Sequence, residues 1–432
     1  MTQTQDHSSG NDLGTLAAPE GVGKTRPPRP LWRNLNYMLL WSGQLISTTG
    51  SQVSSLAFPL LVLAVTGSPA QAGIVGALRG LPFALLSLPA GALIDRWDRK
   101  RVMILCDSGR ALSMASIPVA LWLGHLGLLQ LYVVALVEGT LMTFFSIAEM
   151  TCLPHVVPRE QLPTATAQNQ AIDSTSWTLG PFLGGLLYGI SRLLPFLLDA
   201  LTFACSVLGL LFVRARFQDE REEGERHIWR EIGEGLVWLW RDSLLRFLAL
   251  LAFFLIAPSI GFTLILIELA QNLHASALVI GLLLASGGVG SILGSLCTPL
   301  LQRRFTFGQL TIGSAWVWAV SWLALAIAPN LFILGIANAV SLIIVPIYLS
   351  IQFSYRLLVI PDHLQGRVQS VYRLLSYGSQ PIGVALTGLL LQWISPAWTV
   401  VVLFLPQGLV ALIATFHRRL RHVPMLKELA RE

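Results

Sequence analysis

The chain has 432 residues, 54% hydrophobic and only 12% charged, with a formal net charge of +6. Soluble domains carry about 25% charged residues, so this composition excludes a water-soluble globule and suits a chain dissolved in a bilayer. The surplus of bases does not imply nucleic acid either. They lie in short loops between apolar runs, where they act as topology signals rather than as a phosphate-tracking patch.

Residues 1–33 are polar and rich in Ser, Gly and Pro, the composition of a disordered tail. No apolar h-region follows an N-terminal base, so a cleaved signal peptide is not expected. The tail holds G-V-G-K-T, Gly21 to Thr25, but Ala18 stands where a phosphate-binding loop needs its first Gly. No strand precedes it and prolines follow, so it is not read as a nucleotide site.

Twelve apolar segments follow, at about 37–65, 70–94, 102–124, 129–153, 164–190, 193–214, 245–271, 277–301, 308–328, 331–358, 368–393 and 397–416. Each approaches the ~20 residues that cross ~30 Å of hydrocarbon. Prolines inside them (Pro59, Pro82, Pro181, Pro346, Pro381) are tolerable where neighbouring helices satisfy the freed backbone groups. The organisation expected is a tail over 1–33, a six-helix bundle over 34–214 and a linker over 215–244. A second six-helix bundle over 245–416 and a tail over 417–432 complete it.

The second span ends in G-A-L-I-D-R-W-D-R-K-R, Gly91 to Arg101, where an acid precedes a cluster of cations. Of the 29 Lys and Arg, 26 fall on the side of this loop and of both termini, and Arg192 alone on the other; Arg79 and Arg110 lie inside spans. Bases stay in the cytoplasm, which places both termini there. In the linker, Ile228, Ile232, Leu236, Leu239 and Trp240 recur at helical spacing, the pattern of an amphipathic helix along the inner membrane face. The halves echo each other: T-P-L-L-Q-R-R, Thr298 to Arg304, falls 207 positions after the Gly91 loop, with Gln302 in place of Asp95 and Arg303 in place of Arg96. Related six-helix halves are the repeat pattern of alternating-access transporters.

Gly91, Asp95, Arg96, Arg99 and Lys100 match G-x-x-x-D-R-x-x-R-[RK], and here the chain resembles the major facilitator superfamily. Leu40, Trp41, Gly43, Gln44, Ser47 and Gly50 resemble the first-helix pattern of its bacterial macrolide-efflux and siderophore-exporter branch. T-G-S-P after that helix, Gly180-Pro181-x-x-Gly184-Gly185 and the G-R-V after Pro361 resemble it too. The resemblance covers about residues 31 to 420 and implies an all-α membrane protein, twelve helices in two pseudo-symmetric bundles, in a bacterial inner (plasma) membrane. The sequence departs from the pattern at Ala167 and Ser176, where an exporter signature has Gly, and at Ser51, where relatives often carry Asp.

The resemblance makes Gly91, Asp95, Arg96, Arg99 and Lys100 a conformational latch whose carboxylate meets cations and a helix N-terminus in one state; a plain topology signal is the alternative. Arg79, deep in the second span, needs a cavity or a partner, and Glu138 and Asp173 are the two acids at comparable depth. Whichever acid pairs with Arg79 is a candidate proton or substrate-cation site, a static ion pair being the alternative. Asp107 and Arg110, three apart, share a helix face and read as a structural pair; Glu149, Asp199 and Glu268 are placed near membrane boundaries. Gln44, Gln170, Asn338, Gln369, Tyr372 and Gln380 are cavity candidates on the family's arrangement. Gly180, Pro181, Gly184 and Gly185 form a close-packing bend or hinge. Cys106, Cys152, Cys205 and Cys297 show no CxxC or His pairing, so neither metal nor cofactor is expected. No nucleophile or nucleotide constellation points to an enzyme. The expectation is a monomeric secondary transporter exporting an amphipathic, drug- or siderophore-like molecule, with protons as the coupled ion. A scaffold or sensor of the same fold, or an importer or uniporter, are the alternatives.

Overall fold

The computed structural model describes residues 30–94, 96–215, 217 and 228–429. Asp95 and the Gly21–Thr25 segment lie outside the described residues. The first bundle is α1 (Leu35–Thr66), α2 (Pro69–Ile94), α3 (Arg99–Trp122), α4 (Leu128–Val156), α5 (Leu162–Ile190) and α6 (Leu194–Phe212). The linker helix is α7 (Ile228–Arg241). The second bundle is α8 (Ser243–Ile256), α9 (Ser259–Asn272), α10 (Ala277–Arg304), α11 (Phe307–Ala326), α12 (Leu331–Val359), α13 (Asp362–Tyr377), α14 (Gln380–Trp393) and α15 (Pro396–Phe416).

Among the described residues, eleven helices or end-to-end helix pairs are long and apolar enough to cross a membrane, α8–α9 and α13–α14 each counting as one. The twelfth crossing is α5. Its first half carries Thr164, Thr166, Gln168, Asn169, Gln170 and Asp173, too polar to face lipid. Side chains close many helix ends, as the backbone requires where four N–H groups lack partners. Asn34 accepts from Tyr37 N–H at 3.2 Å and donates to the Val156 carbonyl at 2.8 Å, tying the start of α1 to the end of α4. The two halves begin their third helices alike: Asp98 caps α3 through Arg101 N–H, and Thr306 caps α11 in a reciprocal box with Gln309.

Two spans that read as continuous in the sequence are broken. Pro258 supplies no N–H and clashes with the preceding turn, so α8 stops at Ile256 and α9 restarts at Ser259. The other break, at Gly378 and Ser379, separates α13 from α14. The breaks meet: a Cβ on Gly383 would strike the Ala257 carbonyl. Interrupted helices packed on each other at depth are the irregular backbone that transporters keep at their working centre.

Within the first bundle α1 packs on α5 and α6, α2 on α4, and α3 on α4 and α6; α10 with α12 and α11 with α15 organise the second. The bundles join along α2–α14 and α5–α10. Both joints are seams of small residues: a Cβ at Gly73 would meet Gly388 Cα at 2.7 Å, and one at Gly185 would meet Gly281 Cα at 2.9 Å. Small residues let backbones touch where lipid gives no hydrophobic drive. Both seams lie in the half of the molecule away from the termini. Nearer the termini α5 and α10 part: α5 stays with α1 through Thr49–Ser176 (3.0 Å) and Tyr37–Gln168 (2.7 Å). There α10 keeps to α12, with Gly290 and Gly294 seated on the Ala339 and Ile343 carbonyls.

The linker helix does not lie free. Gly235 packs against the Arg367 backbone of α13, Glu234 meets the Arg367 guanidinium at 2.5 Å, and Leu239 is fully buried. Leu236 and Trp240 stay exposed.

Candidate functional site

A cluster of charges sits inside the first bundle. Gly139 lets α4 press against the Arg79 carbonyl of α2, which brings Arg79 beside Glu138. Arg79 Nε donates to Glu138 Oε2 at 2.6 Å. Arg110, one face of α3 away, donates from Nη2 to Glu138 Oε1 at 2.9 Å and to Ser51 Oγ at 3.2 Å. Its Nη1 lies 3.5 Å from Asp107 Oδ1, and its guanidinium rests 4.0 Å from the centre of the Phe203 ring. Asp107 also accepts from Ser206 Oγ at 2.6 Å, and Asp199 accepts from Ser54 Oγ at 2.5 Å. Glu138, Asp107 and Asp199 are wholly buried.

Of the two acids left open for Arg79, the structure brings up Glu138. Asp173 is half-buried with no ion pair among the described residues. Asp107 and Arg110, read as a structural pair, do meet, and Arg110 also bridges to Glu138. Asp199 is not at a cheap boundary position as expected: it is fully enclosed by α1 and α6. Glu149 and Glu268 are half-buried.

The loop residues divide. Arg99 Nη1 donates to the Thr151 and Phe217 carbonyls at 3.0 and 3.1 Å, and Lys100 Nζ to the Val213 carbonyl at 2.7 Å, so both anchor the ends of α4 and α6. Arg96 is exposed, and a Cβ at Gly91 would meet nothing within 4 Å among the described residues. The cavity candidates also divide. Asn338 is fully buried and donates to the Leu283 carbonyl and Ser286, tying α12 to α10. Tyr372 is buried beneath Arg356, whose guanidinium lies 3.7 Å from its ring centre, and Gln369 accepts from Arg356 Nε at 2.9 Å. These three are packing groups here. Gln44 and Gln380 are partly exposed, and Gln170 is exposed with Ser174 and Thr175 along α5. A polar, exposed helix face at membrane depth suits water rather than lipid. Gly180 and Gly184 seat α5 on Gln52 and Val53 of α1, while Gly185 seats it on α10, so this stretch serves two interfaces at once.

Sequence reasoning missed Arg356, only 6% exposed, and the double role of Arg110. The signal for Arg356 was an arginine in an otherwise apolar span, with Tyr348 and Tyr355 at helical spacing.

A family model described as transmembrane secretion effector, within the major facilitator superfamily, matches residues 27–431. The chain belongs to that family. It is 27% identical over 401 residues to the multidrug efflux pump Tap of Mycolicibacterium fortuitum, covering 90% of this chain and 97% of the relative. It is 25% identical over 367 residues to macrolide efflux protein A of Streptococcus pyogenes, covering 83% and 89%. In fold it is similar to a bacterial homolog of the human lysosomal transporter Spinster in an inward-facing, unoccupied conformation (TM-score 0.74, 14% identity, 93% of this chain and 99% of that one). A bacterial homologue of the iron transporter ferroportin in its inward-facing state gives 0.70 at 18% identity, over 90% and 99%. These likenesses establish the twelve-helix major facilitator fold, and the chain is a multi-pass membrane transporter for a small molecule.

Proposed function

We propose that the protein exports amphipathic, drug-like molecules across a bacterial plasma membrane, driven by the proton gradient through alternating access. The bundles are sealed by the Gly73–Gly388 and Gly185–Gly281 seams at the end away from the termini and diverge toward the termini around the polar wall of α5. That one-sided closure carries the reading. It fits one state of a carrier whose halves rock about a central site. The excess of bases on the terminal side supports cytoplasmic termini, and the cleft then opens inward, where an exporter loads. Asp173 of α5 and Glu149 of α4 are the acids suited to meet a substrate amine. In this reading the loop of Gly91, Asp95, Arg96, Arg99 and Lys100 acts as a latch in the state where the inner ends meet. Full-length likeness to two drug-efflux proteins supports the direction.

The test is accumulation of erythromycin, tetracycline and ethidium in inside-out membrane vesicles. Accumulation that nigericin and valinomycin together abolish, and that ATP hydrolysis is not needed for, is the expected result. Insensitivity to the ionophores, or no accumulation of any of the three, overturns it.

A further inference from the structure

Three wholly buried carboxyls, Asp107, Glu138 and Asp199, share the first bundle with two guanidiniums, Arg79 and Arg110. Taken partner by partner, the cations are already used. Glu138 receives one guanidinium on each oxygen, at 2.6 and 2.9 Å. Asp107 keeps Arg110 Nη1 at 3.5 Å and the Ser206 hydroxyl. Asp199 has no cation within ion-pairing distance among the described residues; the Ser54 hydroxyl reaches it at 2.5 Å and that of Thr202 at 3.5 Å. We propose that Asp199 is the acid that takes up and releases the transported proton, while Glu138 remains the anion that holds the two arginines. This rests on the proton-driven reading above.

With all three acids ionised the cluster carries one net negative charge away from water, and a single proton on Asp199 neutralises it. Unpaired charge in that setting is expensive, so the enclosed acid without a cation is the one to bind the proton. The O–H bond can form on Oδ1, which faces Thr202 Oγ1 at 3.5 Å. Thr202 gives its own hydrogen to the Asp199 carbonyl at 2.7 Å, which leaves its lone pairs free to accept. The groups around Asp199 are Ser54 on α1, Arg79 on α2, Arg110 on α3, Glu138 on α4 and Thr202 on its own helix. Once the proton leaves, the carboxylate is a second anion within electrostatic reach of both arginines, and it competes with Glu138 for them. Arg79 belongs to α2, whose Gly73, Gly76 and Gly80 lie against α14 in the far seam. Pulling Arg79 toward α6 therefore loads the helix that closes that end of the cleft, linking proton release to its opening.

Infrared difference spectra of the purified protein between acid and alkaline pH read the proton directly, with no substrate needed. The C=O stretching band of the buried carboxylic acid is expected in the wild type, absent in Asp199→Asn, and moved to the glutamic-acid frequency in Asp199→Glu. The last variant keeps an acid in place and decides the question if Asp199→Asn does not fold. A band unchanged in the Asp199 variants, or lost in Asp107→Asn instead, overturns the assignment. In proteoliposomes Asp199→Asn should lose erythromycin accumulation driven by a pH gradient while keeping erythromycin exchange without one; loss of both, or of neither, argues against it. A wild-type protein that accumulates nothing under a gradient would sink the proton-driven reading, and the infrared band would still decide whether Asp199 binds the proton.

Discussion

Replacing Glu138 by Gln tests whether the charge cluster holds the first bundle together. The carboxylate is wholly buried and accepts from two guanidiniums, Arg79 at 2.6 Å and Arg110 at 2.9 Å. Removing one member of a buried ion pair costs about 3–5 kcal/mol, because the charge left behind stays desolvated. The lower end applies here: Arg110 retains Asp107 at 3.5 Å and the Phe203 ring, and the Arg79 side chain is 22% exposed. At roughly 2–4 °C per kcal/mol for a bundle of this size, a loss of ~3 kcal/mol lowers the melting temperature by about 6–12 °C. Size-exclusion profiles of detergent-solubilised protein after stepwise heating measure it. Arg79→Met should cost less, since Glu138 then keeps Arg110, and Arg79→Met combined with Glu138→Gln should recover part of the loss. A Glu138→Gln protein that melts within about 2 °C of wild type would refute the reasoning, since even 1 kcal/mol moves the midpoint that far.

Gly185→Leu drives a branched side chain into the α5–α10 seam, where even a Cβ would meet Gly281 Cα at 2.9 Å; transport should fall, and cysteines placed at the ends of α5 and α10 away from the termini should label faster than in the wild type. Asp242 accepts from Leu244 N–H at 2.8 Å and Leu245 N–H at 2.9 Å at the start of α8, so Asp242→Ala should cost about 1 kcal/mol, read as a lower melting temperature at unchanged oligomeric size. His417, stacked 4.4 Å from Phe247, accepts from Leu420 N–H at 3.1 Å through Nδ1. Burial first, and then the Arg419 charge, hold its pKa below the ordinary 6.5, against an opposing backbone hydrogen bond. The unfolded segment therefore takes the proton first: the stabilisation is complete above pH 6.5 and is lost as the pH falls through the folded value. Hydrogen-exchange protection at Leu420, corrected for the intrinsic rate, should drop on acidification and become pH-independent in His417→Asn.

The number of membrane crossings was legible because an apolar run of bilayer length has few other uses in a folded chain. The interruptions at Pro258 and at Gly378 were not, for apolarity runs straight across both while backbone continuity depends on a missing N–H and on what packs there. G-S-Q-P, Gly378 to Pro381, is a cluster of the kind that ends helices, yet in a membrane the same residues are tolerated inside one. Of the charged residues, depth could be read and pairing could not. Arg79 had two acids at a suitable level, and only the seat of Gly139 on the Arg79 carbonyl brings α4, and with it Glu138, close enough to bond.

Asp199 shows what a pattern within one helix omits. It lies five residues past the start of α6, a position that suggests a headgroup neighbour, and yet it is completely enclosed. What encloses it was written elsewhere in the chain. Gly43, Ser47, Gly50 and Ser54 recur at spacings of four, three and four along α1, one face of a helix, and all four are buried. On α6, Asp199, Thr202 and Ser206 recur at three and four, and are buried as well. The two stripes face each other: Gly43 lies against Ser206, Gly50 against Thr202 and Asp199, and Ser54 bonds the Asp199 carboxyl. A stripe of small residues admits a close neighbour but does not say which, and a polar stripe in an apolar helix demands a partner without naming it. Matched register between the two resolves both, because only a helix lacking bulk at those positions can approach a carboxyl that lipid would not accept.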